Sequence, residues 1–320
     1  MSGAALQACS SCLRLVEEWE GGAPGACWSV CRCHDEFPSQ LLELGDRTPP
    51  VLFGVGETGA LAGLRRASTV TIVGSRRATP YGLGVARELG RLLATAGLTV
   101  VSGMAFGTDS AAHEGALEGE GSTVAVLAGG PDVAYPATKR ALHRRILAAG
   151  GVAISERPPG IRPEPWAFPA RNRIMAALAE MTVVVEAAVP SGTLITADEA
   201  LRLHRDLGAV PGPVTSRTSA GANALIRDGA ALVRDAQDVL DEMLGVGATV
   251  ARPVGPDLDA ELARTLELVE QGHATVDQLV GASAGGPREC AVALARLELL
   301  GYLIGALDGT FSRTTLTAPG

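Results

Sequence analysis

The chain has 320 residues, of which 47% are hydrophobic but only 3% aromatic, so two or three domains with Ala-, Val- and Leu-rich cores are expected. The net charge of −8 excludes a uniformly basic nucleic-acid coat, and no apolar run approaches the length of a membrane span. The first 20 residues lack the basic start and apolar run of a secretory signal, so a cytoplasmic protein with reduced thiols is expected.

Charge is unevenly spread along the chain. Residues 61–180 carry fourteen basic and nine acidic side chains, a local balance of +5, whereas 1–60 stands at −5 and the segments 181–250 and 251–320 at −4 each. With a single lysine, Lys139, any phosphate binding rests largely on arginine.

Residues 1–60 form a short N-terminal region containing Cys9, Cys12, Cys27, Cys31 and Cys33, and then a Pro-bounded segment through Phe53. Cys9 and Cys12 with Cys31, Cys33 and His34 have metal-like clustering, but the one-residue gap of the second pair is tight for zinc. Buried reduced thiols are the favoured reading, and no metal is assigned.

From 61 to 245, β-branched runs alternate with helical ones. Strands are expected at 69–73, 98–102, 123–127, 151–155, 182–186, 207–210 and 231–233. After the first of these, Val85, Leu89, Leu92, Leu93 and Ala96 recur at helical spacing, and Gly97 supplies a stop. The alternation predicts an α/β, Rossmann-like, mostly parallel sheet flanked by helices. A Gly- and Pro-rich linker is expected at 246–257. Helices near 258–271, 275–281 and 287–300, then two short strands about Asp308 and Gly309, read as a small winged helix over 258–320, with Cys290 in its core.

Function should lie at the carboxyl ends of the strands. Gly74-Ser75-Arg76-Arg77 closes the first strand with room for close backbone approach and two guanidinium groups suited to phosphates. Arg171-Asn172-Arg173 stands just before an expected helix at 174–179, and Ser191-Gly192-Thr193 opens another, so both can offer amides, hydroxyls or guanidinium forks to an anion. Tyr135 and Lys139 follow the third strand, where Tyr135 is placed to stack on a base or to pack.

Asp109 and His113 would share a helix face near Ser102 and Ser110, which admits a hydrolase reading. A capping role for Asp109 and an internal hydrogen bond for His113 are favoured instead. A dinucleotide site fits poorly, because Gly82-Leu83-Gly84-Val85-Ala86-Arg87 places Arg at the third glycine and lies within a helix. A Walker-type phosphate loop is absent from the sequence.

Taken in order, these motifs resemble the DNA-processing protein A family (DprA, also called Smf). The resemblance is carried by Ile72-Val-Gly-Ser-Arg76, Thr79-Pro-Tyr-Gly82, Ser102-Gly-Met-Ala-Phe-Gly-Thr-Asp109, Tyr135-Pro136, Phe168-Pro-Ala-Arg-Asn-Arg173, Ser191-Gly-Thr-Leu-Ile-Thr-Ala197 and Ala209-Val-Pro-Gly212. It covers about residues 30–230, with a weaker match to the winged helix. It implies a protein that binds and protects single-stranded DNA, helps load the recombinase RecA, dimerises through its Rossmann-like domain, and has no cofactor and no established catalysis. The family's DNA pocket falls here on Gly74, Ser75, Arg76, Lys139, Arg171 and Arg173. Met104 and Thr108 replace the family's usual aliphatics, and His204 stands where Gly commonly precedes Arg205.

Two rival readings come from other classes. Nucleotide phosphoribohydrolases of the lysine-decarboxylase-like family share the Ser-Gly-Thr type of turn, with Glu199 the nearest counterpart of their catalytic acid, but the double glycine of their motif is missing. A sequence-specific repressor would act through the winged helix, whose third helix offers only Arg288 and Arg296 against Glu289 and Glu298.

Overall fold

The computed structural model describes residues 27–246, 255–283, 285–306 and 309–313, in two compact units that divide at residue 250. Cys9 and Cys12 lie outside these residues. Cys31 is buried and Cys33 exposed, so reduced thiols are not uniformly buried. Among the described residues no three metal-ligating side chains are gathered together, and no helix is long and apolar enough to cross a membrane.

The first unit is a nine-stranded sheet with helices on both faces. Its strands are β1 (Cys27–Cys31), β2 (Val51–Gly56), β3 (Thr69–Val73), β4 (Thr99–Ser102), β5 (Thr123–Val126), β6 (Val152–Ser155), β7 (Met181–Val184), β8 (Asp206–Ala209) and β9 (Ala231–Leu232). The order across the sheet is β1-β2-β6-β5-β4-β3-β7-β8-β9. β3 to β9 are parallel, within two residues of the expected bounds. β1 and β2 extend the sheet beyond the expected strands, β2 running antiparallel to β6 with Phe53 opposite Ser155. Val51, Leu52 and Phe53 are buried, which commits the Pro-bounded segment to the core.

Alternation along β3 fixes which side chain meets which layer. Val70 and Ile72 pack with Leu89, Leu93 and Val100 on one face, whereas Val73 joins Val101, Ile174 and Val184 on the other. The helix Pro80–Thr95 buries Ala86, Leu89, Leu92 and Leu93; Ala96, expected on that face, is its exposed C-cap. Ala96 leaves the helix at its C-cap, and the helix body packs against Thr108–Glu118 so closely that a Cβ on Gly90 would overlap Ala112 O and one on Gly115 would overlap Arg87 O. Gly97, at φ +87°, ends the helix as expected.

β3 has β4 on one side and β7 on the other, so the crossovers leave it in opposite directions. This is a topological switch point, which opens a crevice at the carboxyl ends of β3 and β7. Gly74 follows β3 there, and the helix Gly192–Arg202 follows β7.

In the second unit, helices Ala260–Glu270, Val276–Ala282 and Pro287–Leu299 precede a hairpin of β10 (Leu303–Gly305) and β11 (Phe311–Arg313). Leu266, Leu279, Cys290, Leu294, Leu297 and Tyr302 form its core. The Tyr302 hydroxyl, at the edge of that core, donates to Pro256 O at 2.6 Å.

Candidate nucleic-acid interface

The turn after β3 is held from two sides. Thr193 Oγ1 donates to Gly74 O at 2.9 Å, and the Thr108 amide donates to Ser75 O at 3.2 Å. Gly74 is required because a Cβ there would overlap the Thr108 side chain. Ser75 Oγ accepts from the Arg77 amide at 3.1 Å, curling the turn so that Arg76 and Arg77 are exposed. Neither arginine makes an ion pair among the described residues. Ser191 caps the helix that carries Thr193, its hydroxyl accepting from the Thr193 amide at 3.2 Å. Asn172 Nδ2 donates to Gly192 O at 3.2 Å, which ties that helix start to the helix Ala167–Leu178.

The Arg76 guanidinium lies 4.8 Å from the centroid of the Phe168 ring. Phe168 in turn meets Tyr135, ring centroids 5.6 Å apart and planes tilted by 49°. Tyr135 is 51% exposed. A planar cation, two rings and a free guanidinium edge thus meet at the switch point, the combination that takes a base face and a phosphate together.

Beneath them lies Arg171, only 4% exposed, whose Nη1 donates to Val126 O at the end of β5. Gly103 makes room, since a Cβ there would overlap the guanidinium. Burial, with repulsion from Arg76, lowers the Arg171 pKa to about 10 against the pull of Asp109, so the group stays charged at neutral pH. Burial also raises the Asp109 carboxyl above its usual range, opposed by Arg171 and Arg76. Arg171 thus keeps a buried positive charge within electrostatic reach of Asp109 and of the exposed Arg76.

Asp109 does not cap its helix: Gly107 is the N-cap, and Asp109 in the first turn accepts from the Ala105 amide at 3.4 Å. The reason is the 103–107 loop, which folds back over the helix start at Gly107, φ +74°. His113 has the expected internal bond, with Nδ1 2.7 Å from Thr123 Oγ1. Thr123 gives its hydroxyl proton to Val100 O at 2.8 Å, so Nδ1 carries the hydrogen. Burial lowers the His113 pKa to about 3. Ser102 and Ser110 donate to the carbonyls of Ile72 and Ala105, at 2.7 and 2.5 Å, so neither hydroxyl hydrogen is directed at His113.

The remaining expected site residues separate from this centre. Arg173, two positions from Arg171, turns to the opposite side of the helix, where its guanidinium pairs with Glu156 and Nε donates to Arg47 O at 3.0 Å. Lys139 lies 4.0 Å from Glu114, on the flanking helix Thr108–Glu118. Glu199, the rival reading's catalytic acid, is buried and accepts from Arg47 Nη1 at 2.9 and 2.8 Å and from Arg202 at 3.0 Å, an acid neutralised from two sides.

The role of Glu186 is not evident from the sequence motifs. It is buried just after β7 and accepts from Thr79 N and Oγ1 at 2.9 and 2.7 Å, clamping the start of the helix Pro80–Thr95 to the crevice. Thr79 before Pro80 is a capping signal: it is the N-cap, its hydroxyl accepting from the Gly82 amide at 3.2 Å, and Gly82 leaves the space that the Glu186 carboxylate fills.

Residues 28–244 match the family described as DNA recombination-mediator protein A. A putative DNA processing protein DprA of Mycobacterium tuberculosis is 44% identical over 260 residues, which cover 79% of this chain and 66% of that protein, just under two thirds of its length. Protein Smf of Escherichia coli is 36% identical over 285 residues, 87% of this chain and 75% of that protein. Among solved structures, DNA processing protein A from Streptococcus pneumoniae superposes with a TM-score of 0.63 at 37% identity, covering 72% of this chain and 77% of that one. A structure concerning the single-stranded DNA binding mode of DNA processing protein A from Helicobacter pylori superposes with a TM-score of 0.59 at 28% identity, covering 68% of this chain and 95% of that one.

Proposed function

This chain belongs to the DNA recombination-mediator protein A family, and from that premise we propose that it binds single-stranded DNA in the switch-point crevice and performs no chemistry on it. The observation that carries this reading is the exposed Arg76 guanidinium stacked at 4.8 Å on Phe168, above the buried charge of Arg171. Bases stack on the Tyr135 and Phe168 faces, and phosphates meet Arg76, Arg77 and the Ser191–Thr193 turn. A strand with unpaired bases is preferred because a duplex hides the ring faces that such a surface takes. The bound strand is sheltered and passed to the recombinase RecA by a cytoplasmic homodimer, in keeping with the resemblance of its motifs. Among the described residues no oriented base and nucleophile converge in the crevice: Ser102 and Ser110 donate to the carbonyls of Ile72 and Ala105, which favours binding over hydrolysis.

Fluorescence-anisotropy titration with single-stranded and duplex oligonucleotides across salt concentrations tests this. Single strands are expected to bind at least tenfold tighter. Arg76→Ala is expected to weaken binding about tenfold and to flatten the plot of log affinity against log salt by about 0.7. Phe168→Ala is expected to cost about 1–3 kcal/mol with little change in that slope. Equal affinity for the two DNA forms, or unchanged affinity in both folded variants, removes the crevice as the binding site.

A further inference from the structure

We propose that the exposed face of the helix Arg140–Ala148 is a second phosphate-binding surface, on which a single strand continues after leaving the Tyr135–Phe168 platform. The proposal rests on the reading of the crevice given above and enlarges its footprint. The charge distribution is the first argument. Residues 139–145 hold four of the fourteen basic residues of 61–180 and none of its nine acidic ones. They account for most of that region's surplus.

Pairing is the second argument. Of the ten other arginines in 61–180, five are paired, Arg66 with Glu180, Arg87 with Glu118, Arg91 with Glu88, Arg157 with Glu164 and Arg173 with Glu156, and Arg76, Arg77 and Arg171 belong to the crevice. Arg140, Arg144 and Arg145 are exposed, and none makes an ion pair among the described residues. The helix they stand on, RALHRRILA, contains no carboxylate, and its N-cap, Lys139, provides no side-chain cap. Lys139 and Arg140 stand at the positive end of the helix, where cations are unfavourable by themselves and an anion from outside would offset them, whereas Arg145 stands in the last turn, where the dipole favours it.

Continuity is the third. Tyr135 contacts Phe168, and the short segment Ala137–Lys139 leads from it directly into the helix. Leu142 and Ile146 anchor the buried side, and His143 Nε2 is 2.8 Å from Pro131 O, so the arginines are presented from a fixed backbone. Arg140 and Arg144 are one turn apart, about 6 Å along the axis. A flexible polyanion of repeating phosphates that has just crossed an aromatic platform fits this arrangement better than an acidic protein surface, which would need no neighbouring rings.

The test compares an oligonucleotide of about five nucleotides, enough for the crevice, with one of about thirty, enough for both surfaces. The full-length triple variant Arg140→Gln/Arg144→Gln/Arg145→Gln is expected to bind the short strand like wild type. On the long strand it is expected to lose roughly thirtyfold in affinity, with a salt slope lower by about 2, three phosphates at about 0.7 each. Arg76→Ala must weaken both strands, which separates the two surfaces. Unchanged binding of the long strand by the folded triple variant, with Arg76→Ala still defective, overturns this proposal and leaves the crevice reading standing. Equal losses on both strands also overturn it. So does a triple variant that keeps its DNA affinity but no longer binds RecA, which would make the helix a protein-docking face. Failure of the wild type to bind either strand overturns both readings.

Discussion

The chemistry of the crevice is decided by a few side chains that never reach its surface. Arg171 touches Val126 O only because residue 103 has no Cβ, so Gly103→Ala is expected to cost about 1–3 kcal/mol of stability and to weaken single-strand binding, read by thermal melting and anisotropy on the same samples. His113, with a pKa of about 3, stays neutral in the fold while the unfolded chain protonates near 6.5. The unfolded state then binds more protons in that window, so stability declines as pH falls from about 6.5 toward 3, by about 1.4 kcal/mol per unit from this group. Asp109 works in the opposite sense. Its raised pKa lets the folded protein take up that proton first, which returns some stability once the carboxylate range is reached. Urea titrations at pH 7 and pH 5 are expected to differ by about 2 kcal/mol in wild type through His113 and by clearly less in His113→Ala, a variant less stable at both pH values that retains DNA binding. His204 is a separate case. At φ +52° it occupies the left-handed region that glycine adopts most readily, and His204→Gly is expected to leave stability unchanged or raise it by up to about 1 kcal/mol.

At the scale of elements, the helix Ala167–Leu178 divides its two arginines between two tasks. Arg171 serves the crevice and Arg173 pins the opposite side to Glu156 and to the carbonyl of Arg47. Arg173→Ala is therefore expected to lower stability by about 2 kcal/mol, leaving Glu156 without its partner, and to reduce DNA affinity only indirectly; Glu156→Gln added to it should recover part of the loss in a melting experiment. The sequence pattern made both arginines look alike, because a two-residue spacing does not announce that a helix turns them about 200° apart. The parallel strands were legible because β-branched runs, glycine stops and helical periodicity all agreed. β1 and β2 were not: short, Cys- and Pro-flanked and antiparallel, they owe their place to pairing, β2 with β6 and β1 with β2, more than to local preference. Gly74 to Arg76, Thr193 and Arg171 were legible as site residues from turn chemistry, whereas the Asp109–Arg171 pair and the Glu186 clamp join residues 62 and 107 positions apart in the case of Arg171 with Asp109 and of Glu186 with Thr79, beyond the reach of any local pattern.

At the scale of the molecule, the two units have separate cores. The third helix of the winged unit exposes Val292 and Leu299, and its Arg296 is already paired with Asp259 at 3.0 Å. Truncation after Leu244 is expected to leave single-strand affinity within about threefold of the full chain, while self-association or RecA loading changes; a tenfold loss, about 1.4 kcal/mol, would place the tail on DNA instead. The distribution of charge has a kinetic consequence. A molecule of net charge −8 turns a repulsive field toward a polyanion over much of its surface and an attractive one beside the crevice, around Arg76 and the helix Arg140–Ala148. On the proposed reading, an approaching strand would be sorted by direction before any contact forms. In stopped-flow experiments the association rate constant, more than the dissociation rate, is expected to fall as salt rises, because screening erases the guidance well before it loosens a seated base.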